Sequence, residues 1–192
     1  MTPTDATLTE TTPSDDTDHT PAADGGRAFA ELPLDDALLA AVAEVGYTRP
    51  TPVQAKAIGP LVAGRDLLGQ AATGTGKTAA FALPMLQRLA TERLRQRRGR
   101  APFGLVLTPT RELALQVADV IERFGRRLDA RVITVYGGAS VGAQTRALAA
   151  GADVVVATPG RAIDLHQRGA LRLDEVRVVV LDEADEMLDM GF

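Results

Sequence analysis

Cysteine and tryptophan are absent from this chain, histidine occurs only as His19 and His166, and the remaining aromatics are five Phe and two Tyr. Without thiols there is no disulfide framework, no thiolate nucleophile and no Cys/His zinc site. With so few aromatic rings the core has to be assembled from Ala, Val, Leu and Ile, which suits closely packed α/β layers. No uninterrupted apolar run approaches the ~20 residues that cross a bilayer, and the amino-terminal stretch lacks the basic-then-apolar layout of a secretory signal. The expectation is a cytoplasmic protein that makes no use of a membrane. Bases are absent from residues 1–26, which hold six acids (Asp5, Glu10, Asp15, Asp16, Asp18, Asp24) and hence a charge of −6. Rich in Thr, Asp and Pro, this tail has too little apolar surface to offset the entropy of ordering and reads as disordered, either a solvating extension or an interaction arm. Lysine is also scarce: of 21 basic residues only Lys56 and Lys77 are Lys.

What is present, 192 residues with 45% hydrophobic and 24% charged, fits one globular domain plus the acidic appendage. The domain spans 27–192. Beyond residue 26 the bases exceed the acids, 21 to 19, so the body is mildly basic. Leu34, Leu38, Leu39, Val42 and Val45 recur at helical spacing up to Gly46, and a Pro-rich turn at 48–52 precedes a short helix over 53–58. Residues 66–70 read as a strand that enters a Gly/Thr-rich loop, followed by a long helix over about 77–94. Strands at 104–108, 132–135, 153–157 and 176–181 then alternate with helices at 112–124, 141–150 and 161–167. Near-continuous apolar runs such as Val154-Val155-Val156 and Val178-Val179-Val180-Leu181 suit strands buried on both faces, so the fold class is α/β, a parallel sheet with helices on both sides. Five Arg between Arg93 and Arg100 read either as a solvated helix end or as a nucleic-acid contact.

The most specific segment is Ala71-Ala72-Thr73-Gly74-Thr75-Gly76-Lys77-Thr78, set between a strand and a helix. Gly74 and Gly76 let the loop curl so that backbone N–H groups converge, and the following helix start adds positive potential, a cradle for phosphate oxygens. Lys77 is placed to reach the β- and γ-phosphates, and the Thr78 hydroxyl to ligate Mg²⁺. Asp182 and Glu183 end an apolar strand at the carboxyl edge of the sheet, where open α/β folds bind ligands. Two acids there are by themselves as consistent with a helix cap as with a metal site. Alongside a P-loop, Asp182 suits Mg²⁺ and Glu183 suits the base that activates the water attacking a γ-phosphate. A phosphate cradle and a metal-holding carboxylate on separate strands are the two halves of a nucleoside triphosphatase.

The tetrapeptide Asp182-Glu183-Ala184-Asp185, together with this P-loop, resembles the DEAD-box ATP-dependent RNA helicases, over about residues 29–192. Gly46-Tyr47-Thr48-Arg49-Pro50-Thr51-Pro52-Val53-Gln54 resembles the family's adenine-selecting Q motif, with Phe29 upstream. The resemblance implies that Gln54 reads the adenine edge, that Tyr47 and Arg49 pack on the base and that Phe29 supports them, although Tyr47 also reads as a plain core aromatic. Pro109-Thr110-Arg111-Glu112-Leu113-Ala114, Gly137-Gly138 and Thr158-Pro159-Gly160-Arg161 resemble the family's RNA-contacting motifs; each alone reads first as a helix cap or turn, and it is their occurrence together in family order that carries the resemblance. Thr hydroxyls, backbone N–H groups and Arg side chains suit a sugar–phosphate backbone and do not read bases, so RNA binding without sequence specificity is implied. The implied fold is a RecA-like P-loop NTPase domain, and the implied ligands are ATP, Mg²⁺ and RNA. The chain departs from the family pattern after Asp189-Met190-Gly191-Phe192, where the Ser-Ala-Thr motif does not follow. In relatives the strand bearing that motif lies between the P-loop strand and the DEAD strand. The resemblance therefore implies a C-terminally incomplete domain, without the second RecA-like domain and its arginine fingers, and leaves Asp185 without its interdomain coupling partner. Two functions follow: the ATP-binding half of an ATP-dependent RNA helicase, or a non-enzymatic nucleotide- and RNA-binding remnant. A kinase or GTPase would share the P-loop but leave the Gln54 region and the three further segments unexplained.

Overall fold

A computed structural model describes residues 28–72, 74–93 and 101–192. The acidic tail, Thr73 and the Arg-rich run from Leu94 to Arg100 lie outside the described residues. Four strands, β1 (Gly104–Leu107), β2 (Val132–Val135), β3 (Val154–Ala157) and β4 (Val178–Leu181), form one wholly parallel sheet in the order β2-β3-β1-β4. Seven α-helices are described: α1 (Asp36–Glu44), α2 (Pro52–Val62), α3 (Lys77–Arg93), α4 (Arg111–Gly125), α5 (Val141–Ala149), α6 (Pro159–Gln167) and α7 (Ala184–Asp189). Among the described residues no helix is long and apolar enough to cross a membrane.

Alternation along the strands splits the core in two. Val106, Val154 and Val156 face a large cluster built on α1, α3 and α4, with Leu38, Leu83, Leu86, Ile121 and Phe124 essentially without solvent contact. Leu105, Val155 and Ala157 face the opposite way, onto Leu148 of α5 and Leu165 of α6. Helices on both faces make the middle strands continuous apolar runs, as expected for a parallel sheet.

Two elements depart from the sequence reading. Residues 66–70 have no strand conformation, and the Leu68 side chain is fully exposed. An extended segment becomes a strand only against a neighbouring ladder, and this one pairs with nothing among the described residues. β4, expected to be buried on both faces, is covered on one. Val178 and Val180 pack on the large cluster, whereas Val179 and Leu181 are 59% and 57% exposed. β4 pairs with β1 on one side only, and among the described residues its outer edge carries no strand.

Register fixes where the chemistry sits. Leu107 lies level with Ala157 and with Leu181, and Ala157 lies level with Val135, so all four strands stop at one line. The segments that follow them share one edge of the sheet, in the spatial order Tyr136-Gly137-Gly138, Thr158-Pro159-Gly160, Thr108-Pro109-Thr110 and Asp182-Glu183. Sequence order would not have placed the second of these between the first and the third.

Candidate functional site

The Gly/Thr-rich loop before α3, the candidate phosphate loop, is shaped from within and from α2. Thr75 donates its hydroxyl to the Ala72 carbonyl at 2.7 Å, closing the curl, and Gly74 and Gly76 both adopt left-handed backbone, φ +83° and +88°. Gly76 has a second reason to be glycine: a Cβ there would lie 2.3 Å from the Gln54 amide nitrogen. That nitrogen donates to the Gly76 carbonyl at 3.2 Å, and the same carbonyl accepts from Ala80 N–H in the first turn of α3. The Gln54 amide oxygen accepts from Thr51 N–H at 2.9 Å, while the Thr51 hydroxyl accepts from Gln54 N–H, a reciprocal cap on α2 with Pro52 in its first turn. Gln54 is 1% exposed. Both ends of its amide are thus engaged inside the protein, tying α2 to the phosphate loop. The ring of Tyr47 lies 6.2 Å from Phe29 and edge-on to Phe124 at 5.9 Å, so Phe29, which is buried, backs Tyr47 on one side. Arg49 is exposed.

Opposite the loop, the end of β4 supplies the acids. Lys77 Nζ lies 2.7 Å from Glu183 Oε1, with the two side chains 23% and 25% exposed. Glu183 sits in the left-handed region at φ +52°, uncommon for a residue with a Cβ and costing about 1–3 kcal/mol, as backbone at functional sites often does. Asp182 is held by its N–H to the Leu107 carbonyl at 2.9 Å and is buried. Burial pushes its carboxyl above the usual carboxylate range; the neighbouring Glu183 charge pushes the same way and Lys77 opposes. A buried carboxylate with a raised pKa is a hard oxygen donor whose charge a bound cation such as Mg²⁺ would relieve. Asp185 lies exposed in the first turn of α7.

The three remaining segments come together in a separate cavity of about 420 Å³ along the same edge. Pro109, Arg111, Gly137, Thr158, Gly160 and Arg161 line it. Thr110 caps α4, its hydroxyl accepting from Leu113 N–H at 3.2 Å. Pro159 opens α6 and is buried. Gly138 turns the backbone at φ +79°. Arg161 is an organiser, since its Nη1 donates to the Ala139 carbonyl at 3.1 Å and to Gln144 Oε1 at 2.9 Å. Arg111 stays exposed, its guanidinium 4.7 Å above the Tyr136 ring.

Four participants escaped the sequence reading. Gln144, 7% exposed, donates to the Tyr136 carbonyl at 3.1 Å and so links the Gly137-Gly138 turn to Arg161. Its signal was available, because Gln144 falls between Val141 and Leu148 on the apolar face of α5, where a polar residue requires a partner. Tyr136, Met190 and Phe192 carried no such signal; the last two line the cavity from the end of α7.

Residues 51–192 match the family model described as DEAD/DEAH box helicase. The chain is 49% identical over 176 residues to the ATP-dependent RNA helicase DeaD of Mycobacterium tuberculosis, covering 91% of this chain and 30% of that protein. It is 47% identical over 164 residues to the DEAD-box ATP-dependent RNA helicase CshA of Streptococcus pneumoniae, covering 85% of this chain and 30% of the relative. A crystal structure of a hypothetical ATP-dependent RNA helicase from Sulfolobus tokodaii superposes with a TM-score of 0.74 at 40% identity, over 83% of this chain and 44% of the other. The chain thus spans about 30% of the length of these curated relatives.

Proposed function

This chain belongs to the DEAD/DEAH box helicase family, and on that premise we propose that it is the ATP-binding, first RecA-like domain of an ATP-dependent RNA helicase, over residues 27–192, acting in the cytoplasm. The observation that carries the proposal is the meeting of Lys77 and Glu183 at 2.7 Å, which brings the phosphate loop and the acidic end of β4 to one point.

In this reading the phosphate tail enters the loop from Thr73 to Thr78 and takes the backbone N–H groups and the Lys77 ammonium as donors. Lys77 has then to leave Glu183, and the freed carboxylate becomes the base that orients and deprotonates the attacking water. Thr78 and Asp182 would hold Mg²⁺, which when bound neutralises phosphate charge. Adenine would lie against Tyr47 and Arg49, with Gln54 reading its edge. The bonds of the Gln54 amide to Thr51 and Gly76 use one of its two acceptor sites and one of its two N–H groups, so the remaining pair can serve adenine while the existing bonds couple the base pocket to the shape of the phosphate loop. Along the same edge Pro109, Thr110, Arg111, Gly137, Gly138, Thr158, Pro159, Gly160 and Arg161 form the surface for an RNA backbone, Arg161 chiefly by holding the Gly137-Gly138 turn. Asp185 would couple to a second domain.

The decisive experiment is nucleotide titration of the purified chain with a fluorescent ATP analogue, Mg²⁺ present. ATP is expected to compete and GTP to compete poorly, and Lys77→Ala is expected to weaken binding by roughly tenfold or more, the worth of charge-assisted hydrogen bonds. Equal competition by GTP would overturn the Gln54 assignment, and indifference to Lys77→Ala would overturn the site. A second reading, a binding module without turnover, is favoured by the uncovered face and outer edge of β4.

A further inference from the structure

Gln87 is a polar residue in the most deeply buried stretch of α3, where Leu83, Met85 and Leu86 beside it have essentially no solvent contact. An amide in such surroundings requires a hydrogen-bond partner. Its Oε1 accepts from the Asp35 N–H at 2.7 Å, across 52 positions of chain. That bond holds a segment whose other hydrogen bonds are local. Glu31 accepts from the Ala28 N–H, and Leu32 and Leu34 donate to the carbonyls of Phe29 and Leu32. Among the described residues, the bond to Gln87 is the one hydrogen bond by which 28–35 reaches a distant element. The Asp35 carbonyl then accepts from Leu38 and Leu39 and starts α1. At the other end of α1, Gly46 turns the backbone at φ +85° and the Tyr47 N–H donates to the Val42 carbonyl at 3.1 Å. Phe29 thus precedes α1, Tyr47 follows it, and the two rings lie 6.2 Å apart. Where α1 begins sets how the pair meets.

From this arrangement we propose that Gln87 is a positioning residue for the base pocket: by gripping the start of α1 from the helix that carries Lys77, it holds the pair of Phe29 and Tyr47 in place and so sets selectivity for adenine without touching the nucleotide. The inference rests on the proposed reading of Tyr47 and Gln54 as the adenine site, and adds to it a residue outside every segment on which the family resemblance rests. The helix runs about 15 Å from Lys77 to Gln87, too far for the amide to meet a phosphate bound at Lys77. Loss of the amide oxygen leaves the Asp35 N–H without its partner, a cost that the start of α1 relieves by moving toward water. Phe29 and Tyr47 move with it. The phosphate loop does not, because it keeps its own bonds, Thr75 to the Ala72 carbonyl and Gln54 to the Gly76 carbonyl. The effect of Gln87 is therefore on the base and not on the phosphates.

The test uses the full 192-residue chain with a fluorescent ATP analogue labelled on the ribose, displaced in turn by ATP, by GTP and by inorganic tripolyphosphate, which carries the phosphates and no base. Gln87→Met keeps the length of the side chain and removes the acceptor. It is expected to weaken ATP about two- to tenfold, the range that one lost hydrogen bond spans, to narrow the preference for ATP over GTP, and to leave tripolyphosphate unchanged. Gln87→Glu keeps an acceptor oxygen at a helix start that favours an anion, and is expected to return the ratio of ATP to tripolyphosphate affinity to that of wild type. Unchanged tripolyphosphate binding establishes that the variants are folded. Unchanged ATP affinity in Gln87→Met, an equal loss of ATP and tripolyphosphate, or a ratio that Gln87→Glu does not return, overturns the positioning role and leaves the nucleotide site standing. Wild type that binds GTP as well as ATP overturns the adenine reading together with the positioning role, and wild type that binds none of the three overturns the nucleotide site as well.

Discussion

The Lys77 ammonium holds the Glu183 carboxylate, which in the proposed site makes that carboxylate a competitor of the phosphate. Removing that charge while preserving shape, in Glu183→Gln, is expected to tighten binding of the fluorescent ATP analogue by about two- to fivefold, the worth of a partly exposed ion pair. Unchanged or weaker affinity would mean that the pair does not gate the loop. Asp182 gives a pH prediction. Its carboxyl is pushed up chiefly by burial, so between the ordinary carboxylate value and its own raised pKa the native state binds more protons than the unfolded chain. Stability therefore falls as pH rises through that window, so ionising the buried group is a net cost. Asp182→Asn is expected to raise the melting temperature at pH 7, by an amount that shrinks as the pH is lowered toward the carboxylate range. The same variant should lose the Mg²⁺ dependence of nucleotide binding. A melting temperature lowered at pH 7 would show that the carboxylate has a stabilising partner instead.

Among the elements, β4 is where composition and surroundings part. Four apolar residues in a row indicate a strand suited to cover on both faces, and the strand forms where expected, but a sequence run reports what a strand tolerates and not which neighbours it has. Val179 and Leu181 consequently meet solvent, beside an outer edge with no strand among the described residues. Leu67 and Leu68 are exposed for the same reason: residues 66–70 have the composition of a strand and no ladder to join. An apolar edge of this kind is a template for association between chains. Val179→Lys is expected to reduce concentration-dependent self-association, read by light scattering across a range of protein concentrations, while costing about 0.5 kcal/mol or less as a surface change. Association that is unaffected by the lysine would place the sticky surface elsewhere. α2 and α4 behave oppositely to β4, because their caps are local. Thr51 with Gln54, and Thr110 with Leu113, close hydrogen bonds over three residues; the second was among the caps the sequence suggested, whereas the first was hidden behind the adenine reading of Gln54.

For the molecule as a whole, the parts legible in the sequence were those whose physics is short-ranged: the alternation of strands and helices, the glycines of the phosphate loop, the acids after β4. What stayed hidden depended on contacts between distant segments. The strand order β2-β3-β1-β4 brings Thr158 between Gly137 and Pro109, Arg161 turns inward to Gln144, and the end of α7 reaches the cleft; none of these has a periodicity or a spacing to announce it. The same separation of scales governs activity. On the proposed reading, local features suffice to bind a triphosphate, but turnover requires transition-state charge to be stabilised from more than one side in a site closed to water. Here Lys77 and Glu183 are each about a quarter exposed, the face of β4 next to them is uncovered, and the chain spans about 30% of the relatives' length. Purified 1–192 is accordingly expected to bind ATP yet hydrolyse it slowly, with no stimulation when RNA is added, in a single-turnover assay with radiolabelled ATP. Rapid RNA-stimulated release of phosphate, abolished by Lys77→Ala, would overturn that expectation and would mean that the open half-site closes by another route, the exposed edge of β4 meeting a second copy being the first to examine by repeating the assay at increasing protein concentration.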